Sequence, residues 1–366
     1  MTSSVITTGP KESTEPYPWI LHPVLDYLLC CGGLLLILAL LVCAFPDAFR
    51  NDGSLSKSIV TFSLIALSMP HGLSSYLRVF NSKSTRTAIA RKVVILGVVC
   101  VIASIATLFS ETAWILVGHI VFYLGVQHLF AQSYGIALVY CYKRKYYWTK
   151  WEQKVFNLVA VQLVTFHAMA RIFSQDNGYF ITRSFGPAWF PIWVPKVSGA
   201  LLYASLIVFI GVCVRKYIKE KKIMPMPAIF LLITTFVYQG MLPFLTSTPL
   251  LSAMAIAPNL HLTQYFAITT SYFIKEVGLP ENVKFSQISS QLLKPTALKY
   301  FAFLLSVGFI TTILIIPGVW NLGGMMGFDR GNVVLAVFIC INAHHYITDS
   351  LIWKQRDPQV RKLLIS

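Results

Sequence analysis

Runs of about twenty mostly apolar residues recur along almost the whole chain, and no other feature restricts the fold as much. A helical segment of about 20 such residues is long enough to cross a hydrocarbon core at about 1.5 Å rise per residue. Ten runs are present, at about 24–45, 58–78, 92–110, 113–140, 155–174, 197–214, 226–245, 250–274, 299–317 and 332–353. The seventh and eighth are separated only by TSTPLL, and each is interrupted by proline, so eight or nine spans are the alternatives. Of the 366 residues 56% are hydrophobic and 12% charged, too few charges to cover a soluble domain with so much apolar surface. The expected fold is an all-α, polytopic integral membrane helix bundle of about ten transmembrane helices.

The formal net charge is +16, a value that in a soluble protein suggests nucleic acid. Here the basic residues fall in short clusters between apolar runs, as in loops beside anionic headgroups, so membrane lipid is the expected partner and nucleic acid is not. Arg78, Lys83, Arg86, Arg91 and Lys92 follow the second run; Lys143, Arg144, Lys145, Lys150 and Lys154 follow the fourth. Arg215, Lys216, Lys219, Lys221 and Lys222 follow the sixth, and Lys275, Lys284 and Lys294 the eighth. Lys354, Arg356, Arg361 and Lys362 follow the tenth. The alternate loops (46–57, 175–196 and 318–331) are poorer in basic residues, so the positive-inside rule makes both termini cytoplasmic. Tyr146, Tyr147, Trp148, Trp151, Trp189 and Trp193 stand at span ends, where amphipathic rings meet headgroups.

This pattern predicts a disordered leader over 1–18, one transmembrane domain over 19–355 and a basic cytoplasmic tail over 356–366. The expected location is a plasma (inner) membrane or a thylakoid-like internal membrane. The leader carries Pro, Ser and Thr and has no arginine-rich start, unlike a cleaved signal peptide. Seven cysteines lie mostly within or beside the apolar runs without a CxxC pair, which predicts neither disulfides nor a thiolate metal site.

The second, fourth, eighth and tenth runs all cross in the same direction, and each carries histidine. His71 lies about 13 residues into its run, His128 about 15, His261 about 11, and His344 and His345 about 12; at about 1.5 Å per residue these depths agree within about 6 Å. Polar companions recur at helical spacing: Gln132 after His128, Gln264 and Tyr265 after His261, Asp349 four residues after His345, and Ser74 and Ser75 after His71. Such groups should face the bundle interior, because lipid offers them no partner.

Two readings stand. One is a set of hydrogen-bonded core histidines. The other is a metal centre held by His71, His128, His261, His344 and His345, since neutral imidazole is the commonest metal ligand. Asp349 then either ligates or orients a histidine, and Gln132, Gln264 and Tyr265 complete the surroundings. A mostly nitrogen donor set without sulfur suits an oxygen-activating iron centre. His119, two turns before His128, lines an access path or bonds locally, and His167 with Arg171 lies toward the outer surface. His22 and Asp26 are helix-capping residues or a cation contact, and Glu111 is an interfacial loop acid.

The stretch Met69 to Gly72 (MPHG), in an apolar span and followed by later intramembrane histidines, resembles the Brp/Blh β-carotene dioxygenase family of multi-span membrane proteins. The resemblance implies histidine-bound iron and cleavage of a carotenoid. In that family's motif an aspartate follows four residues after the histidine, where Ser75 stands here. The stretch HHYITDSLIWKQRDPQVRKLL, with HLTQY upstream, is similar to multi-span bacterial proteins of unassigned function. The HxxxH and HxxHH pattern of membrane desaturases is missing.

The leading expectation is therefore an integral-membrane iron oxygenase acting on a lipophilic small molecule that enters from the bilayer. A transporter or proton-coupled carrier is the second expectation, since midplane ionisable residues and the prolines Pro243, Pro249 and Pro258 suit one too. A haem-binding membrane protein is the third.

Overall fold

The computed structural model describes residues 17–49, 53–81, 86–174, 190–241, 257–277, 279–280, 283, 285–353 and 358–365. Nearly all of the leader, Pro243 and Pro249, Trp189, and Lys354 and Arg356 of the tail lie outside these residues. The described residues form helices, with one isolated bridge between Ser174 and Phe190. In chain order we name α1 (Pro23–Cys30), α2 (Gly33–Ala44), α3 (Ser54–Ser63), α4 (Met69–Asn81), α5 (Arg86–Phe109), α6 (Glu111–Lys143) and α7 (Lys150–Ile172). Then follow α8 (Trp193–Glu220), α9 (Met226–Met241), α10 (Ala257–Val277), α11 (Pro295–Met325), α12 (Arg330–Ile352) and α13 (Pro358–Ile365).

Six of these helices (α5, α6, α7, α8, α11 and α12) are long and apolar enough to cross a membrane, or seven if the bent pair of α1 and α2 counts as one span. Ten were expected. Each of the ten runs does carry helix where it is described; the shortfall has a chemical cause. The helices over the second and eighth runs hold His71, Ser74 and Ser75, and Asn259, His261, Thr263 and Gln264, which lower their hydropathy. Among the described residues the seventh run carries a short apolar helix, Met226–Phe236.

Within the six helices only 11% to 50% of each apolar stretch is buried inside the protein. On α5 Val94, Ile95, Val98, Val99 and Ile102 all point outward, and α8 does the same with Leu201, Ile207 and Val208. Apolar surface on this scale is unfavourable against water and costs nothing against acyl chains. Several of these helices can therefore span a bilayer.

Two wide turns interrupt the helices next to proline. The π-turn Leu64–Ser68 joins α3 to α4 just before Pro70, and a second, Thr311–Ile315, precedes Pro317 inside α11. Proline lacks the N–H for the usual bond and its ring clashes with the carbonyl four residues back, so the chain takes up an extra residue there. Gly308 of α11 sits against the first of these turns, where a Cβ would run into the Ile65 carbonyl and the Pro70 ring. At the break between α1 and α2, bent by 53°, Gly32 takes a φ of +81°, and a side chain there would meet Leu260 and Thr234.

The main apolar core joins the C-terminal half of α6 (Ile136 to Cys141) to Phe156 and Val159 of α7, Phe209 of α8 and Leu231 of α9. Next to this core α10 and α12 each pack against both α4 and α6, closing a four-helix ring that buries His71, His261 and His345. The tail differs from a free basic segment: α13 lies against α10 and α6, Val360 is buried, and Lys275 Nζ donates to the Leu363 carbonyl at 2.9 Å. All seven cysteines are free thiols.

Candidate metal centre

Helical spacing brings the polar groups of this ring together. His71 and Ser75 on α4, His128 and Gln132 on α6, His261 and Tyr265 on α10, and His345 and Asp349 on α12 are each four residues apart, on one helix face. One ligating nitrogen from each of His71, His128, His261 and His345 lies within 4.8 Å of the other three. Nε2 of His71 and Nε2 of His261 are 2.9 Å apart. That separation suits either an imidazole–imidazole hydrogen bond or two donors on a single ion. Nε2 of His128 and Nε2 of His345 are each 3.6 Å from Oδ2 of Asp349, beyond hydrogen-bonding distance.

The other atoms of the site are tied down. Ser75 Oγ donates to Asp349 Oδ1 at 2.7 Å, and Tyr265 Oη donates to the same oxygen at 2.9 Å. Trp353 Nε1 donates to Tyr265 Oη at 3.2 Å. With its proton on Asp349, Ser75 is free to accept from Nδ1 of His345, 3.2 Å away, which leaves a lone pair on Nε2 of that ring. Gln132 Nε2 donates to the His261 carbonyl at 2.8 Å and to Gln264 Oε1 at 3.1 Å, so it fixes the backbone of α10.

Against this satisfied frame stand five buried atoms with no hydrogen-bond partner: Nδ1 of His71, Nε2 of His128, Nδ1 of His261, Nε2 of His345 and Oδ2 of Asp349. A buried polar atom left without a partner costs about 1–3 kcal/mol. Three of them, Nε2 of His128, Nε2 of His345 and Oδ2 of Asp349, lie together, and a cation there would satisfy them.

The structure separates His344 from this group. Successive residues lie about 100° apart around a helix, so His344 and His345 cannot face one point. Nε2 of His344 donates to the Val93 carbonyl at 2.8 Å, Nδ1 accepts from Tyr76 Oη, and the ring stacks on Tyr76 with centroids 5.2 Å apart. It is a helix-packing residue between α12, α4 and α5. Gln264 bonds Gln132 and Ser133 and touches no imidazole edge through a hydrogen bond.

The remaining candidates lie elsewhere. His119 donates from Nδ1 to the Ile115 carbonyl at 2.6 Å, and His167 bonds Ser198 Oγ at 3.0 Å. His22 accepts from the Val24 amide as a helix cap. Asp26 accepts from the amides of Ile20, Leu21 and His22 and from Tyr140 Oη, so its role is structural. Glu111 is the first residue of α6, capped by Ser110.

Ser75, expected as a companion of His71 from its helical spacing, holds the hydrogen-bond junction, while two participants escape a reading based on depth. Trp353 stands four residues after Asp349, and Arg78 seven after His71, both on the faces that carry the site. No protein-family model, curated protein or solved structure matches the chain.

Proposed function

We propose that the protein is an integral-membrane metalloprotein whose ion is held by His71, His128, His261 and His345, with Asp349 beside them. The observation that carries this reading is the convergence of four imidazoles from four helices within 4.8 Å, with a partnerless ring atom on each. The absence of sulfur among the donors favours iron over a structural zinc. Such an ion, when bound, would supply an open coordination position for activating oxygen toward a lipophilic substrate. This is the chemistry implied by the resemblance of MPHG and its companion histidines to the Brp/Blh family.

The chain's own groups prepare the centre. Ser75 fixes the His345 tautomer, and Tyr265 and Ser75 share the charge of Asp349. Gln132 anchors α10 through the His261 carbonyl. Burial of His71, His261 and His345 in a helix ring keeps bulk water from the centre. In this reading the chain crosses about ten times with both termini cytoplasmic, as the basic loops indicate.

Two other functions compete. The 53° break between α1 and α2 favours a transporter, since such proteins use discontinuous helices. Haem is disfavoured by crowding: His71 and His261 ring centroids are 4.6 Å apart and His128 and His261 also 4.6 Å, a spacing into which no macrocycle fits between four packed helices.

Metal analysis of detergent-purified protein with an absorption spectrum tests the reading. Near-stoichiometric iron without a Soret band is expected, and a folded H128A/H261A variant should lose it. Protein that neither carries nor takes up iron, with the double variant unchanged in folding, would refute the metal centre and favour transport.

A further inference from the structure

A second buried site lies two turns along α4 from the imidazoles. A cavity of about 350 Å³ is lined by Ser74, Arg78, Thr269, Tyr272, Glu276 and Trp353, among others. Arg78 is only 6% exposed, yet none of its three guanidinium nitrogens has a hydrogen-bond partner. Its Cζ lies 3.7 Å from the Trp353 ring centre and 4.2 Å from that of Tyr272, so two aromatic faces hold the charged group. A ring face offers no lone pair of the kind that an oxyanion gives to an N–H donor. A buried guanidinium with all its donors idle is among the costliest arrangements a protein can keep. The planar fork of donors matches the oxygens of a carboxylate or phosphate.

Glu276 does not relieve this cost. It lines the same cavity, and its Oε1 also lacks a hydrogen bond. The walls beside Arg78 include the apolar Leu77, Phe273 and Val277, and Val277 is 58% exposed at the outside of the bundle. A ligand here meets a cation at its head and acyl-compatible surface along its length.

We infer that the Arg78 cavity binds the oxyanion, carboxylate or phosphate, of an acyl-chain amphiphile. Arg78 pairs with the oxyanion, Trp353 and Tyr272 fix the guanidinium plane, and the chain leaves along Leu77 and Val277. Trp353 links this cavity to the histidine cluster through Tyr265 and Asp349. The inference does not depend on the metal reading.

Binding of tritiated oleate to the full-length protein in nanodiscs of uncharged lipid tests it. Saturable binding near one site per chain is expected, displaced by oleyl phosphate and not by oleyl alcohol. R78Q, shown to be folded by its thermal melt, should bind at least about tenfold more weakly, as loss of a charged hydrogen bond implies. E276Q keeps Arg78 and removes a repelling carboxylate, so it should bind at least as tightly as the wild type. Equal displacement by oleyl alcohol, or unchanged binding by folded R78Q, would overturn the oxyanion assignment. Displacement by inorganic phosphate as effective as that by oleyl phosphate would overturn the amphiphile assignment. If R78Q fails to fold, the competition between oleate and oleyl alcohol on wild-type protein still decides.

Discussion

Replacing Ser75 by alanine isolates the junction on which the centre depends. The change removes one hydroxyl that stands 2.6 Å from Tyr265 Oη, 2.7 Å from Asp349 Oδ1 and 3.2 Å from His345 Nδ1. Tyr265 keeps Asp349 and Trp353, and Asp349 keeps Tyr265, so only Nδ1 of His345 is orphaned. Leaving that buried group unsatisfied costs about 1–3 kcal/mol. The ring can escape the cost by moving its proton to Nε2, which lies 3.6 Å from Asp349 Oδ2. Any metal must then displace that proton. Loss of such a supporting hydrogen bond typically weakens metal affinity about 10–100-fold, which is about 1.4–2.8 kcal/mol at about 1.4 kcal/mol per decade. The assay is metal retention by purified protein dialysed against graded chelator, read by elemental analysis. Ser74→Ala is the control, because Ser74 Oγ donates to the His71 backbone carbonyl of its own helix and also meets Tyr300, with no hydrogen bond to His345. Retention by Ser75→Ala equal to wild type, or equal loss by Ser74→Ala, would refute the reasoning.

His344→Ala should keep its metal through the same dialysis. It should melt lower, by about 1–3 kcal/mol for the lost bonds to Tyr76 and Val93; metal loss matching that of His345→Ala would contradict its assignment to packing. Gly308→Ala should destabilise by about 1–3 kcal/mol, because the new Cβ meets the Ile65 carbonyl and Pro70 ring. Gly318→Ala, where nothing lies within 4 Å, should not, and thermal melts of the two variants compare them directly.

Much of this architecture was written plainly in the residues. Run length located the helices, and the expectation that His71, His128, His261 and His345 share one layer is met by their clustering. The i, i+4 spacing from His345 to Asp349 also produced the predicted pairing of faces. Depth alone could not exclude His344, since adjacent residues share depth and differ in direction. Nor do α4 and α10 stand among the helices long and apolar enough to cross a membrane, because the polar groups that build the site lower their hydropathy. Arg78 looked like one more loop cation after the second run; only packing places it between Tyr272 and Trp353. The folding back of α13 onto α10 was equally invisible, because it rests on Lys275 finding a distant carbonyl.

The wide turn at Leu64–Ser68 has a bearing on the metal ligand that follows it. Since each residue advances a helix by about 100°, deleting one residue from that turn would swing the azimuth of everything after it by the same angle. His71, Ser75 and Arg78 would leave their inward heading as a unit, while the helix shortened by only about 1.5 Å and stayed as greasy. Pro70 thus acts as a phase-setting device, tying the compass bearing of three functional side chains to a single extra residue in the coil above them.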